Sequence, residues 1–262
     1  MSTVKWLKYI VIGIIIIIIP IILLKFIWSN VETAENNFQN ELSSQVQKQL
    51  DFYPTRRLET FFDREGQRDA SFSKDDKGTW VIQASIYRKV NNGKTPIYES
   101  IWLDVNRNNK TITGTYELDY RTGDDPFHTE KSKEVPIEYK GGQLRPTKKV
   151  PPEIEKNIKN VKLLIQHGEK IDIKKAKHVK FSGTEKNNNY KFNYDLPDND
   201  PNLKLLSDWY QYKFNKSSQL EIDEIGNNDD KNKDVWHINY VGEDEATMSY
   251  NETIHFVRSK SN

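Results

Sequence analysis

The sequence predicts an α+β protein: an N-terminal transmembrane helix followed by two lobes, each built of helix plus antiparallel sheet. Three observations predict it. Residues 9–28 are apolar at seventeen of twenty positions. Beyond residue 79, apolar side chains recur with period two in several successive runs, the signature of half-buried strands. At Pro151-Pro152 a helical pattern begins again, and more period-two runs follow it. The expected segments are a cytoplasmic N-terminus (1–8), a transmembrane helix (9–28), a tether (29–37), a first lobe (38–147) and a second lobe (148–262).

Residues 9–28 include eleven isoleucines, and the exceptions to their apolar character are Gly13, Pro20 and Lys25. A helix of this length spans about 30 Å, the thickness of a bilayer's hydrocarbon core. Tyr9, Ile14, Ile19, Pro20, Leu24 and Trp28 are the expected anchor residues, with Pro20 kinking the helix and the aromatic ends lying at the interfaces. Lys5 and Lys8 precede the span, and Glu32 and Glu35 follow it. The positive-inside rule then places the N-terminus in the cytoplasm and the bulk of the chain outside. A cleaved secretory signal is the competing reading. The length of the apolar stretch disfavours it, and so does Glu32, which occupies a position that wants a small residue if cleavage follows Ala34. The expected localisation is therefore the cell membrane, single-pass, with the lipid bilayer as a partner.

The remaining chain is soluble in character. It carries 39 Lys+Arg against 38 Asp+Glu overall, and a net charge of −2 once residues 1–28 are set aside. That balance gives no electrostatic footprint for nucleic acid. Aromatics make up 11% of the residues, which is too many for a disordered chain. Cysteine is absent, so these 262 residues offer no disulfide, zinc thiolate, cysteine nucleophile or cysteine-linked lipid.

The elements follow in order. Phe38, Leu42, Val46 and Leu50 recur every four residues as a helical stripe. A short helix comes next, with Leu58, Phe61 and Phe62 inward and Gly66 placed to stop it. Trp80, Ile82, Ala84 and Ile86 alternate with Val81, Gln83, Ser85 and Tyr87. Ile101, Leu103 and Val105 alternate with Trp102, Asp104 and Asn106. Ile112, Gly114, Tyr116 and Leu118 alternate with Thr111, Thr113, Thr115 and Glu117. Val135, Ile137 and Tyr139 make a fourth run. Asp76-Lys77-Gly78, Asn108-Asn109 and Gly141-Gly142 mark turns. Connections this short predict an antiparallel meander. A helix then opens at Pro151-Pro152, with Ile154, Ile158, Val161 and Ile165 inward, His167 in its last turn and Gly168 as cap. Strands are expected around Val179–Phe181, Tyr190–Leu196, Leu220–Ile222, Trp236–Tyr240 and Met248–Phe256. A helix N-capped by Asp200, with Pro201 at its first position, interrupts them.

Several long strings in this order resemble one family. LDFYP, DREGQRD and DKGTWVI lie within Leu50–Ile82. LDVNRNNKTITG and LRPTKKVPPEIEKNIKNVKLLIQHG follow, and YNETIHFVR closes the series. They resemble the staphylococcal tandem lipoproteins over about residues 50–258. The resemblance implies an exported, membrane-anchored surface antigen of a Gram-positive cell, linked to host immunity and host-cell entry, with a host protein as candidate partner. It supplies no catalytic residues. Family members carry a lipobox cysteine and this chain has none, which the resemblance reads as an exchange of lipid for a transmembrane helix.

No catalytic, cofactor or metal constellation emerges. His128, His167, His178, His237 and His255 show no metal-ligand spacing. His167 reads as a helix C-terminal residue. Asp198, Asp200 and Asn202 begin like a calcium loop, but Leu203 and Trp209 stand where glycine and glutamate are required. The run Asn228–Asp234 is a charged loop. Asp63/Glu65 and Asp75/Asp76 lie on turns. Arg145, Lys148 and Lys149 read as a solvated linker between the lobes. Trp80, Trp102, Tyr116, Tyr190, Phe192 and Trp236 are expected mostly in the core; a carbohydrate-stacking platform would need several aromatics on one exposed face. The expected function is a non-enzymatic interaction or antigen role outside the cell. The alternative is an envelope ligand-binding or enzymatic domain.

Overall fold

The structure, a computed structural model, describes residues 47, 50–66, 68, 72–90, 95–121, 129–173, 179–184, 189–197, 199–210, 219–225, 236–241 and 248–259. Gln49–Asn262 form one compact unit and Met1–Lys48 another. The expected membrane helix over 9–28, with Tyr9, Ile14, Ile19, Pro20, Leu24 and Trp28 and the topology residues Lys5 and Lys8, lies outside the described residues. Among those that are described, no helix is long and apolar enough to cross a membrane.

Ten strands form the larger unit: β1 (Thr79–Val90), β2 (Thr95–Asn106), β3 (Thr111–Arg121), β4 (Thr129–Lys140), β5 (Gln143–Pro146), β6 (Val179–Thr184), β7 (Asn189–Asp195), β8 (Gln219–Ile225), β9 (Trp236–Val241) and β10 (Met248–Val257). They make one sheet in the order β5-β4-β3-β2-β1-β10-β9-β8-β7-β6. Every neighbouring pair is antiparallel. The two expected lobes are thus corrected to one body. Each meander exists, but β10 pairs with β1 from Thr79↔Val257 to Arg88↔Met248 and fuses the two into a continuous sheet. The physical reason is that an innermost strand left alone would expose a long row of unpaired N–H and C=O groups, which pairing satisfies. β5 was missed because it is only four residues long and its last two, Arg145 and Pro146, fall in the stretch read as a basic linker; it forms a short outer edge that ends in Pro146.

Alternation gives the sheet two different faces. Trp80, Ile82, Ile101, Leu103, Val105, Tyr116, Ile137, Phe192, Ile238, Tyr250 and Ile254 are buried on one. The described helices lie against this apolar face: a 3-10 helix (Leu58–Asp63), α1 (Pro152–Asn160), α2 (Leu164–His167) and α3 (Pro201–Tyr210). α3 has the predicted cap, since Asp200 Oδ1 accepts the N–H groups of Asn202 and Leu203, both at 3.0 Å. The single helix expected from Pro152 to His167 is two. It breaks at Val161–Leu163, because the free N–H groups of Leu164 and Ile165 are taken by a side chain from the sheet, Glu252, each at 2.9 Å. Gly168 has φ −69 and is no left-handed cap. His167 meets the edge of the Trp209 ring at 6.3 Å, and burial, followed by the charges of Lys162 and Arg56, holds its pKa below the usual histidine range.

The family-like strings converge on one aromatic cluster. Trp80 lies 5.5 Å from Phe61, 6.1 Å from Phe52 and 4.9 Å from Phe256. Its indole N–H donates to the Arg64 carbonyl at 3.1 Å, and the Arg64 guanidinium covers Phe52 at 3.6 Å. Arg107, at the start of the β2–β3 turn, is only 5% exposed. It donates from Nε to Phe62 O (3.2 Å), from both terminal nitrogens to Glu65 (2.9 Å each) and to Lys77 O. Two of these acceptors are backbone carbonyls, which lose this buried donor on truncation, so Arg107→Ala is expected to destabilise the fold by about 2–4 kcal/mol. Arg107→Lys should restore less than half of that, since an ammonium lacks the planar fork. Circular-dichroism melting of the full chain checks this; an unchanged midpoint for Arg107→Ala would refute it.

Candidate functional site

The face of the sheet opposite the helices carries polar residues in register. Neighbouring strands align Asn193, Glu221, Asn239, Asn251, Ser85, Ser100, Glu117 and Glu134 into one row that crosses from β7 to β4. Each is the polar partner in an alternating strand, so the row follows from period two combined with pairing register. At about 4.8 Å per strand it extends about 34 Å. On its β7–β9 part, Glu221 accepts from Lys191 Nζ at 3.0 Å and from Asn239 Nδ2 at 3.2 Å. Asn193 Oδ1 and Asn239 Oδ1 are buried and accept nothing among the described residues.

An open cavity of about 610 Å³ sits over the β10–β1–β2–β3–β4 part of this face. Its lining comprises the aromatic rings of Tyr98 and Trp102, the amides of Gln83 and Asn251, the hydroxyls of Ser85, Ser100, Thr115 and Thr253, and the carboxylates of Glu117 and Glu134. No Lys or Arg lines it among the described residues. Trp102 is 39% exposed, whereas Trp80 and Tyr116 lie in the core. Its indole N–H donates to Asp104 Oδ1 at 2.9 Å, and His255 meets it edge-on at 6.2 Å. The ring is therefore held in one orientation although it faces solvent. Gly114 supports this geometry from β3: a Cβ there would lie 1.8 Å from the Trp102 carbonyl oxygen. Ser100 Oγ donates to Glu117 Oε2 at 3.3 Å. Glu117 and Glu134 stand directly opposite each other across β3 and β4, a like-charge pairing that costs stability. Burial lowers the His255 pKa, and the Asp104 carboxylate acts in the opposite direction.

The strongly perturbed ionisable groups lie elsewhere. Glu252 has no exposure, and burial pushes its carboxyl up to about 7 against the hydrogen bonds it accepts from Tyr250 and the α2 backbone. Tyr250 and Tyr240 are likewise raised by burial. These groups serve packing and capping beneath the helices. Among the described residues no three His, Cys, Asp or Glu side chains come together to hold a metal.

Sequence reasoning expected most of the strand aromatics in the core and did not single out Trp102 as an exception. The signal against that lay in the alternation itself, where Trp102 falls in the polar half with Asp104. Trp80, Tyr116 and Phe192 are buried as expected. The side chains of Tyr190, Trp236 and His237, together with all of His128 and His178, lie outside the described residues. Asp200 is a helix cap, as read. The Asn228–Asp234 loop lies outside the described residues.

The sequence model of the Csa1 family matches residues 38–259. An uncharacterized lipoprotein of Staphylococcus aureus (strain N315) is 33% identical over 189 residues, covering 71% of this chain and 73% of its own. Another, from strain COL, is 29% identical over 242 residues, with 88% and 91% covered. An uncharacterized lipoprotein of Staphylococcus epidermidis is 32% identical over 231 residues, with 85% and 89% covered. The lipoprotein relatives, whose anchor is a lipid, overturn the single-pass transmembrane localisation expected from residues 9–28. The apolarity of that stretch is common to secretory signals and spans, so hydropathy alone could not separate them.

Proposed function

This chain belongs to the Csa1 family, whose relatives are staphylococcal lipoproteins, and on that premise we propose that its folded body is a non-enzymatic interaction module working at the cell surface through the open face of its sheet. The observation that carries this reading is the exposed, hydrogen-bond-fixed Trp102 set in a cavity of hydrogen-bonding side chains. A rigid, amphipathic ring ringed by adaptable polar groups is the chemistry of recognition, because it gives contact area without loss of rotamer freedom. The strongly shifted carboxyl and phenol groups that catalysis would draw on are sealed under the helices. The favoured partner is a host surface component. The cavity volume, within the usual range for small ligands, gives an envelope-ligand reading its support.

Beads coated with the full chain should adhere to cultured host cells. The double variant Trp102→Ala/Tyr98→Ala should lose at least about thirtyfold in adhesion while keeping its melting midpoint, since a hot-spot aromatic carries about 2 kcal/mol or more. Equal adhesion of the double variant, or no adhesion by the unaltered chain, would overturn the host-contact reading.

A further inference from the structure

Resting on that reading of the open face, we infer that the cavity binds an uncharged oligosaccharide. A sugar ring offers an apolar C–H face and a rim of hydroxyls that both donate and accept. The cavity offers the matching set. Trp102 and Tyr98 present aromatic surface, and the Trp102 indole N–H, already engaged by Asp104, leaves the ring to act through its face. Gln83 and Asn251 present amides, each both donor and acceptor, and Glu117 and Glu134 present acceptors in pairs that suit vicinal hydroxyls. Antiparallel register places Trp102 diagonally from Glu117, about 7–8 Å away, so a ring stacked on the indole brings its rim to the carboxylate.

Charge narrows the class. Two carboxylates and no base line the site among the described residues, so sulfated or uronic-acid polymers meet repulsion and find no cation. An apolar ligand would strand the amides and carboxylates without partners. From Asn251 on β10 to Glu134 on β4 the lining crosses four strand spacings, about 19 Å, which suits an extended oligomer better than a single ring.

The test is binding of the full chain to immobilised glycans: an N-acetylglucosamine tetramer of bacterial-wall type, a neutral galactose-terminated glycan of host type, and heparin as acidic control. The proposal expects one of the two neutral glycans to bind, heparin not to bind, and the glycan that binds to identify the source. Trp102→Ala should weaken that binding at least tenfold, and Asn251→Ala should weaken it about fivefold. Circular dichroism should show both variants folded. Glu153→Gln on the exposed surface of α1 should leave binding unchanged. Absence of binding to both neutral glycans, preference for heparin, or undiminished binding by folded Trp102→Ala would overturn the proposal. The bead assay reads separately: adhesion lost in Trp102→Ala/Tyr98→Ala without glycan binding leaves the interaction face standing and removes only the saccharide.

Discussion

Glu252→Ala should lower the unfolding free energy by about 4 kcal/mol, a large part of the 5–15 kcal/mol typical of a domain. Glu252 sits on β10 with no exposure, and its two oxygens accept the N–H groups of Leu164 and Ile165 and the hydroxyl of Tyr250 at 2.7 Å. Alanine leaves the buried Ile165 N–H unpaired, at about 1–3 kcal/mol, leaves the Leu164 N–H only the Tyr250 hydroxyl at 3.2 Å, and opens a hole under α2. Glu252→Gln keeps the volume but offers one acceptor oxygen, so it should lose roughly half as much. The carboxyl also sets a pH dependence. Its pKa rises on folding from an ordinary value to about 7, because burial disfavours the charge. The folded chain then holds a proton that the unfolded chain releases. This contribution is fully present below about pH 4.5 and is lost as pH rises through 7, on the order of 3 kcal/mol across that window. Denaturant unfolding at pH 5 and pH 8 reads it: relative to Glu252→Gln, the unaltered chain should lose stability toward pH 8. Parallel profiles for the two proteins would sink the assignment.

The second large effect concerns Phe256 and the two glycines beside it. A Cβ on Gly66 would lie 2.2 Å from Phe256 Cγ, and one on Gly78 would lie 2.2 Å from its Cζ. The ring cannot yield, since Phe72 stacks on it at 5.5 Å and Trp80 contacts it at 4.9 Å. Gly78 also has φ +79, a conformation costly for any side chain. Gly78→Ala is therefore expected to cost about 3–5 kcal/mol, backbone strain and overpacking together, and Gly66→Ala about 1–3. A double-mutant cycle separates the two causes. With Phe256→Ala as background, Gly66→Ala should become nearly neutral, because the atoms nearest to that Cβ all belong to the Phe256 ring. Additive losses would mean that the glycine serves some purpose other than making room for phenylalanine.

That pair of glycines shows what reading along the chain misses. Gly66 was read as a helix stop from its position after Phe61 and Phe62. Its purpose comes from a ring on the last strand, nearly the whole length of the unit away. Arg107 and Glu252 are similar cases. Each is an ordinary charged residue in sequence, one in a turn and one in the polar-looking string YNETIHFVR, and each becomes a buried clamp only when distant backbone arrives beside it. The candidate site was half legible. Gln83, Ser85, Trp102, Thr115 and Glu117 stand in the polar halves of the period-two runs, but which of them share a cavity depends on register, and register is a property of pairs of strands.

The sequence by itself determined the elements that local pattern controls: the alternating strands of both meanders, the glycine turn at 141–142, the Asp200-capped helix and the family resemblance carried by its long strings. Tertiary structure alone decided that the meanders merge through β1 and β10, that α1 and α2 part at Glu252, and that an outward-facing indole, two amides and two carboxylates meet over one cavity. The reason is physical. Periodicity fixes which way a side chain points from its own strand, whereas pairing between segments far apart in the chain is chosen by the hydrogen bonds and packing of the whole sheet, which no local window contains.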